Sequence, residues 1–215
     1  MSQGLRRRII DTARNMNAAG INQGTSGNVS ARWRNGLLIT PSGMDYDALK
    51  PADIVYMDLD GKPSGSRLPS SEWRFHLDIY RARAEAGAVV HCHSPHATTL
   101  ACLGRGIPAF HYMVAVAGGA DIRCAGYATF GSQALSDQVL TALEDRQACL
   151  MANHGMVAFA AGPEQALKLA IEVETLAGQY GRCLQIGDPI LLSAAEMERV
   201  VNKFRSYGKQ PAPQR

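Results

Sequence analysis

Three histidines stand within six residues in "AVVHCHSPHATTL", at positions 91, 93 and 96, and they are half of the six in the chain. The stretch begins as an apolar run and turns polar, which reads as a strand leaving a core. Strand side chains alternate faces, so His91 and His93 point one way and Cys92 the other. An H-x-H pair on a strand is a two-pronged imidazole clamp for a metal. Pro95 ends the strand and leaves His96 outside that row. Taken alone, the pair is equally well two histidines bonded to backbone carbonyls. A third histidine strengthens the case. "MANHGMVAF" sets His154 in a polar turn between two apolar strands, at the end of a sheet. Three histidines on a tetrahedral ion leave one position open for substrate, and imidazole suits zinc, with iron, cobalt or manganese as alternatives.

A carboxylate comes next. Glu72 in "PSSEWRFH" lies at the start of an expected helix, where it is either a partner of the helix dipole or a base or further metal ligand. His76 is four residues on, hence on the same helix face, and reads as structural. Three short pairs could hold an anion: Gly27-Asn28 in "GTSGNVS", Ser42-Gly43 in "TPSGM" and Ser70-Ser71 in "LPSSE". Each joins a hydroxyl or amide side chain to an exposed backbone N–H, and Ser70-Ser71 opens a helix. Singly they are ordinary turns and caps. Together they would make a neutral phosphate cradle. No Walker loop is present, and "GTSGNVS" is not followed by a helix, so a dinucleotide fingerprint is unsupported.

An open metal, a carboxylate and a phosphate cradle suit a small phosphorylated hydroxy-ketone. The ion would act as a Lewis acid and stabilise an enediolate, and the carboxylate would move the proton on carbon. The other aldol strategy is a Schiff base on a buried lysine. The lysines are Lys50, Lys62, Lys168, Lys203 and Lys209, and none lies in an apolar strand.

The elements that must position these groups follow from pattern. "LRRRIIDTARNMNAAG" has helical apolar spacing and a stop at Gly20. "NVSARW", "GLLIT" and "DIVYMDL" read as short strands, with a turn at Asp60-Gly61. A helix starts near Ser70 or Ser71, "AVVHCH" is a strand, and "PHATTLACLG" a short helix. Residues 106–131 are glycine-rich and irregular. Ser132 caps the helix "SQALSDQVLTALEDR". "ACLMANHGMVAFA" is a pair of strands about the His154 turn. A long helix starts at Pro163, and a last one ends near Tyr207. These elements predict one α/β domain over residues 1–215, with 208–215 as a frayed tail.

Composition bounds the rest. At 215 residues, 46% apolar and 19% charged, the chain can bury one substantial core. The net charge of +3 is small. Its one basic run, "RRR" at 6–8, falls on an amphipathic helix and reads as a solvated face, so no nucleic-acid partner is expected. No long apolar run predicts a membrane span or a secretory leader, which makes a cytoplasmic location the expectation. Five cysteines without a C-x-x-C pair argue for buried thiols rather than disulfides or a Cys-type zinc site.

The series "INQGTSGNVS", "LITPSG", "LPSSEWRFH", "AVVHCH", "IPAFHYMVAVAGG", "CAGYATFG", "NHG" and "KFRSYG" runs through nearly the whole chain in order. In this it resembles the class II aldolase/adducin family. The resemblance implies an α/β fold with a central, mainly antiparallel sheet flanked by helices. It implies one Zn2+ per subunit, held by His91, His93 and His154, with Glu72 ligating in the resting enzyme and swinging off to act as acid/base. Phosphate would sit among Gly27, Asn28, Ser42, Gly43, Ser70 and Ser71. Tyr112 matches a tyrosine that serves the aldehyde-side oxygen across a subunit interface, and Phe130 and Tyr207 match residues that close over the aldehyde. The implied assembly is a homotetramer with sites between subunits. The implied reaction cleaves a ketose-1-phosphate of the L-fuculose-1-phosphate kind into dihydroxyacetone phosphate and a small aldehyde. Alternatives are 5-methylthioribulose-1-phosphate or 5-deoxyribulose-1-phosphate as substrate, a sugar-phosphate dehydratase or epimerase, and a non-catalytic adducin-like module. Epimerases of this kind carry aspartate at the position of Glu72, and a dead module would have lost ligands that this chain keeps. Ser42 in place of threonine, "HCHSPH" in place of an asparagine-alanine version and "NHG" in place of "HHG" bear on the sugar more than on the reaction.

Overall fold

The computed structural model describes residues 2–204. Helix α1 (Ser2–Ala18) leads into β1 (Asn28–Arg32), β2 (Gly36–Ile39), β3 (Val55–Asp58) and β4 (Pro63–Ser64). Then come α2 (Trp73–Ala82), β5 (Ala88–Cys92), α3 (Pro95–Cys102), β6 (Cys124–Ala125), α4 (Gln133–Ala142), β7 (Ala148–Met151), β8 (Gly155–Ala160), α5 (Pro163–Ile186) and α6 (Ala194–Phe204). The strands form one sheet in the order β4-β3-β2-β1-β5-β8-β7-β6. Every pairing is antiparallel except β6 with β7. The expected α/β fold with a mainly antiparallel sheet is the fold observed.

The inner strands are apolar at almost every position because both sheet faces are covered. Alternation divides their side chains. Val29, Leu38, Val90, Cys92, Leu150 and Ala158 join a core built with α1, α3 and α5. Leu37, Ile39, Val89, Cys149, Val157 and Phe159 join a second core under α2 and α4. His91 has the parity of Val89, so it faces α2, where Phe75 meets its ring edge-on at 5.4 Å. Cys92 lies on the opposite face, as alternation requires.

Arginines tie the layers together. Arg32 of β1 donates to Tyr80 O, Arg83 O and Ala86 O, supplying partners for carbonyls at the end of α2. The "RRR" run is only partly the solvated face expected: Arg6 donates to Pro51 O and Ile54 O, and Arg8 pairs with Glu164 at the start of α5. Ser132 caps α4 through Leu135 N at 3.1 Å, and Pro163 occupies the first turn of α5. The irregular stretch holds a 3-10 segment, Tyr112–Ala117, and the short edge strand β6, which its glycines concealed. Cys92 and Cys149 are buried thiols, but Cys102 at the end of α3 is exposed. Among the described residues no helix is long and apolar enough to cross a membrane. Tyr207 and the expected frayed tail, 208–215, lie outside the described residues.

Candidate metal centre and active-site cleft

Four side chains from three parts of the fold converge at the end of β5 and β8. Strand β5 stops at Cys92, so His93 lies one residue beyond the strand, yet its ring still turns to the side of His91. Their Nε2 atoms are 3.1 Å apart. The β7–β8 hairpin brings His154, with Asn153 in a left-handed conformation (φ 54°) and His154 N donating to Met151 O. The three rings stand edge to face, with centroids 4.8–5.0 Å apart. Glu72, the residue just before α2, places Oε2 3.0 Å from His91 Nε2 and Oε1 3.0 Å from His154 Nε2. The ligand atoms of all four lie within 4.8 Å of one another.

This geometry suits a divalent ion. Tetrahedral nitrogen ligands at zinc distances sit about 3.3 Å apart. His91 Nδ1 meets Met156 O at 2.8 Å, and a carbonyl can only accept, so Nδ1 carries a hydrogen and Nε2 is the nitrogen free to meet a metal ion. Glu72 Oε1 is buried with no hydrogen-bond partner among the described residues, an arrangement that is costly unless a cation meets it. Burial pushes the Glu72 carboxyl up, but His91 and His154 outweigh it and hold it well below the usual carboxylate range. Burial likewise pushes His91 down, and Glu72 overcomes this and raises it. Burial, and after it the proximity of the His91 and His154 imidazoles, lowers His93 to about 4. A bound cation would satisfy Oε1 and the imidazole lone pairs together.

The three pairs expected to hold an anion are linked through Thr40 and its neighbours. Val29 N donates to Thr40 Oγ1 at 3.2 Å, Thr40 N to Val29 O, Ser70 N to Thr40 O at 3.0 Å and Ser42 N to Leu68 O at 3.1 Å. Gly43 is left-handed at φ 66°. Two of the expected side chains have other partners. Asn28 donates to Glu72 Oε2 at 3.0 Å, and Ser70 Oγ accepts from Glu72 N at 3.3 Å. Ser71 keeps an exposed side that opens on the cleft.

The cleft over the centre has a volume of about 360 Å³, and Thr25, Ser26, Ser71, Glu72, His93, Tyr127, Phe130, Asn153 and His154 line it. Phe130, which the resemblance assigns to the aldehyde end, is 65% exposed at the rim of this cleft. Thr25, Ser26, Tyr127 and Asn153 are additions: all four stand in quoted motifs, "GTSGNVS", "CAGYATFG" and "NHG", but the motifs alone give none of them a role. The loop bearing Tyr127 and Phe130 is fastened to α2, since Arg74 Nε donates to Gly131 O at 2.9 Å. Gly131 is left-handed (φ 72°), and a methyl there would come within 2.7 Å of Ser71 O. Tyr112 is not in this cleft. It is half-exposed and stacked on His111, and it lines a larger hollow against α6 with Phe110, Leu192 and Val200. His96 points away from the centre and packs on Gly178, and its N–H donates to Glu174 at 2.8 Å.

Three histidines and one carboxylate at the end of a largely antiparallel α/β sheet form a cluster compatible with a metal ion, beneath an open, ligand-sized cleft. The family model for the Class II Aldolase and Adducin N-terminal domain matches residues 7–180, and the chain belongs to that family. It is 58% identical over 204 residues to a 5-methylthioribulose-1-phosphate/5-deoxyribulose-1-phosphate aldolase of Rhodospirillum rubrum, covering 95% of this chain and 92% of that protein. It is 50% identical over 205 residues to an L-fuculose phosphate aldolase of Escherichia coli, covering 95% of each. A solved L-fuculose 1-phosphate aldolase superposes with a TM-score of 0.92 at 40% identity, covering 95% of this chain and 98% of that one.

Proposed function

We propose that this chain is a metal-dependent aldolase that cleaves a ketose-1-phosphate into dihydroxyacetone phosphate and a small aldehyde. The observation that carries the reading is the buried Oε1 of Glu72, without a hydrogen-bond partner among the described residues and set among three imidazoles at the floor of a cleft. His91, His93 and His154 would hold the ion, with zinc as the metal and Glu72 as a fourth ligand at rest. When bound, the ion supplies Lewis acidity to the substrate's carbonyl and hydroxyl oxygens.

The protein's own groups do the rest. The phosphate lies against Ser71 and the backbone of the Gly27-Asn28, Ser42-Gly43 and Ser70-Ser71 turns, a neutral cradle that holds charge through N–H groups and hydroxyls. Glu72, off the ion, is the acid/base at C3. As the C3–C4 bond breaks, the C4 hydroxyl loses its proton by way of Tyr112 and C3 gains one by way of Glu72, and exchange with solvent returns both groups to their starting states, so the reaction is proton-neutral. Phe130 and Tyr127 wall the aldehyde end. Tyr112 is remote from Glu72 within one chain, which supports a homotetramer in which Tyr112 of the partner subunit completes each site.

Identity to the Rhodospirillum protein favours 5-methylthioribulose-1-phosphate or 5-deoxyribulose-1-phosphate as substrate, and the aromatic rim suits such an apolar aldehyde. L-fuculose-1-phosphate is the second reading, favoured by the 0.92 superposition. The test is dihydroxyacetone phosphate release from these three sugars, before and after chelation and zinc return. Release that chelator abolishes and zinc restores is expected. No release from metal-loaded protein overturns the reading. Mixed assemblies of Tyr112→Phe and Glu72→Gln chains should regain activity that neither parent has.

A further inference from the structure

Behind Glu72 runs a chain of buried side chains that the metal centre does not use. Asn28 and Ser30 project from one face of β1, two residues apart. His76 and Tyr80 project from one face of α2, four apart, continuing the spacing from Glu72. The strand pair and the helix pair interdigitate. Asn28 Nδ2 meets Glu72 Oε2 at 3.0 Å, and His76 Nε2 meets Asn28 Oδ1. His76 Nδ1 meets Ser30 Oγ at 2.7 Å, and Ser30 Oγ meets Tyr80 O–H at 2.8 Å. All five residues are buried, and Phe75 stacks on the His76 ring at 4.7 Å.

Only one polarity satisfies every bond. An ionised carboxylate can only accept, so the NH2 of Asn28 faces Glu72 and its carbonyl faces His76. A carbonyl can only accept, so His76 carries its hydrogen on Nε2. His76 Nδ1 is then a lone pair that takes the Ser30 hydroxyl hydrogen, and Ser30 in turn accepts from Tyr80. The carboxylate thus sets the polarity of the whole chain, and His76, Ser30 and Tyr80 hold the Asn28 amide in the orientation that it requires. Each carboxylate oxygen lies 3.0 Å from an imidazole Nε2, Oε2 from His91 and Oε1 from His154, but Asn28 grips Oε2 alone, and Oε1 has no hydrogen-bond partner among the described residues.

We propose that Asn28 and His76 are positioning residues that pin Oε2 of Glu72 as a pivot and leave Oε1 as the oxygen that exchanges between metal and proton. This rests on Glu72 being the acid/base of the proposed reaction. The side chain of Asn28 then serves the carboxylate, and any part of position 28 in phosphate binding belongs to its backbone.

The test replaces His76 by Phe, which keeps the stacking but ends the chain, and by Gln, which can donate to Asn28 and accept from Ser30. Metal content, kcat, KM and hydrogen–deuterium exchange at C3 of dihydroxyacetone phosphate are read on metal-loaded protein. His76→Phe should lower kcat and the C3 exchange together by 10- to 100-fold, with metal content kept and KM changed less than threefold. His76→Gln should restore most of the exchange. Should His76→Phe not fold, Tyr80→Phe removes a single oxygen from the far end, and a several-fold fall in kcat at constant KM is expected. Unchanged exchange in the folded variants, or loss that Gln does not rescue, overturns the positioning role. Exchange that survives Glu72→Gln overturns the acid/base reading itself, so the two failures are separable.

Discussion

Gly155 opens β8 directly beside the metal centre, and Gly155→Ala tests how tightly the backbone sets the ligand geometry. Its conformation is open to any residue, since it is absent from the positive-φ glycines, so the effect is steric. A methyl there would lie 2.5 Å from Cys92 O and 2.9 Å from His93 Cδ2. An ordinary carbon–oxygen contact is about 3.3 Å, so β5 and β8 must part by roughly 0.8 Å at their ends. That is where His93 and His154 leave their strands. Metal–ligand distances tolerate only about 0.2 Å. The alanine should therefore weaken metal binding by about 10- to 100-fold and destabilise the metal-free protein by about 1–3 kcal/mol through overpacking. Competition with a chromophoric chelator reads the first, and urea unfolding after chelation reads the second. Gly181→Ala on α5 is the control: nothing lies within 4 Å of its added carbon, and a helix interior gains about 0.5–1 kcal/mol from alanine. If Gly155→Ala binds metal within twofold of the parent, the ligands are not held by this strand contact and the reasoning fails.

Two further predictions use the same surroundings. Burial, with the charge of His91 adding to it, lowers His76 to about 3, whereas an unfolded chain titrates near 6.5. The unfolded state therefore takes up the proton first as pH falls, and stability is lost downward from about pH 6.5. Measured on chelator-treated protein, the stability advantage of the parent over His76→Gln should shrink by about 2 kcal/mol between about pH 7.5 and about pH 5; a pH-independent difference would show that His76 titrates normally. Phe130→Ala removes an apolar wall worth about 1.4 kcal/mol at roughly 25 cal/mol per Å² over about 55 Å². In the condensation direction this should raise KM for the aldehyde about tenfold and leave that for dihydroxyacetone phosphate within twofold; equal changes in both would place Phe130 outside the aldehyde end.

The cluster that could hold a metal was legible because its chemistry is concentrated in a few residue types and because alternation decides a strand's faces. That rule separated His91 from Cys92, and Pro95 removed His96, which the structure turns toward α5. The sheet followed from apolar runs bounded by glycine and proline. What stayed hidden depends on distant partners. Asn28 and Glu72 are 44 residues apart, and only the stacking of α2 on β1 shows that the amide faces the carboxylate. Gly27-Asn28 reads as a turn for an anion until that packing is known. Tyr127 and β6 fall in a glycine-rich stretch with no periodicity, where local pattern carries no information about the tertiary neighbours that fix the chain. Tyr112 reads as an ordinary aromatic, and even its position in the fold does not bring it to Glu72 within one chain.

The bond from Arg74 to Gly131 has a bearing on redesign. The rim loop and the first turn of α2 share one fastening, with Trp73 packed beneath the same guanidinium at 4.6 Å. A library that varies residues 126–130 to accept new aldehydes would work against a fixed anchor as long as positions 74 and 131 are left alone. Varying them as well would let the rim drift relative to Ser71, so gains in aldehyde scope would come with a looser grip on the phosphate. Grafting this loop from a relative should accordingly carry its own residues at both positions.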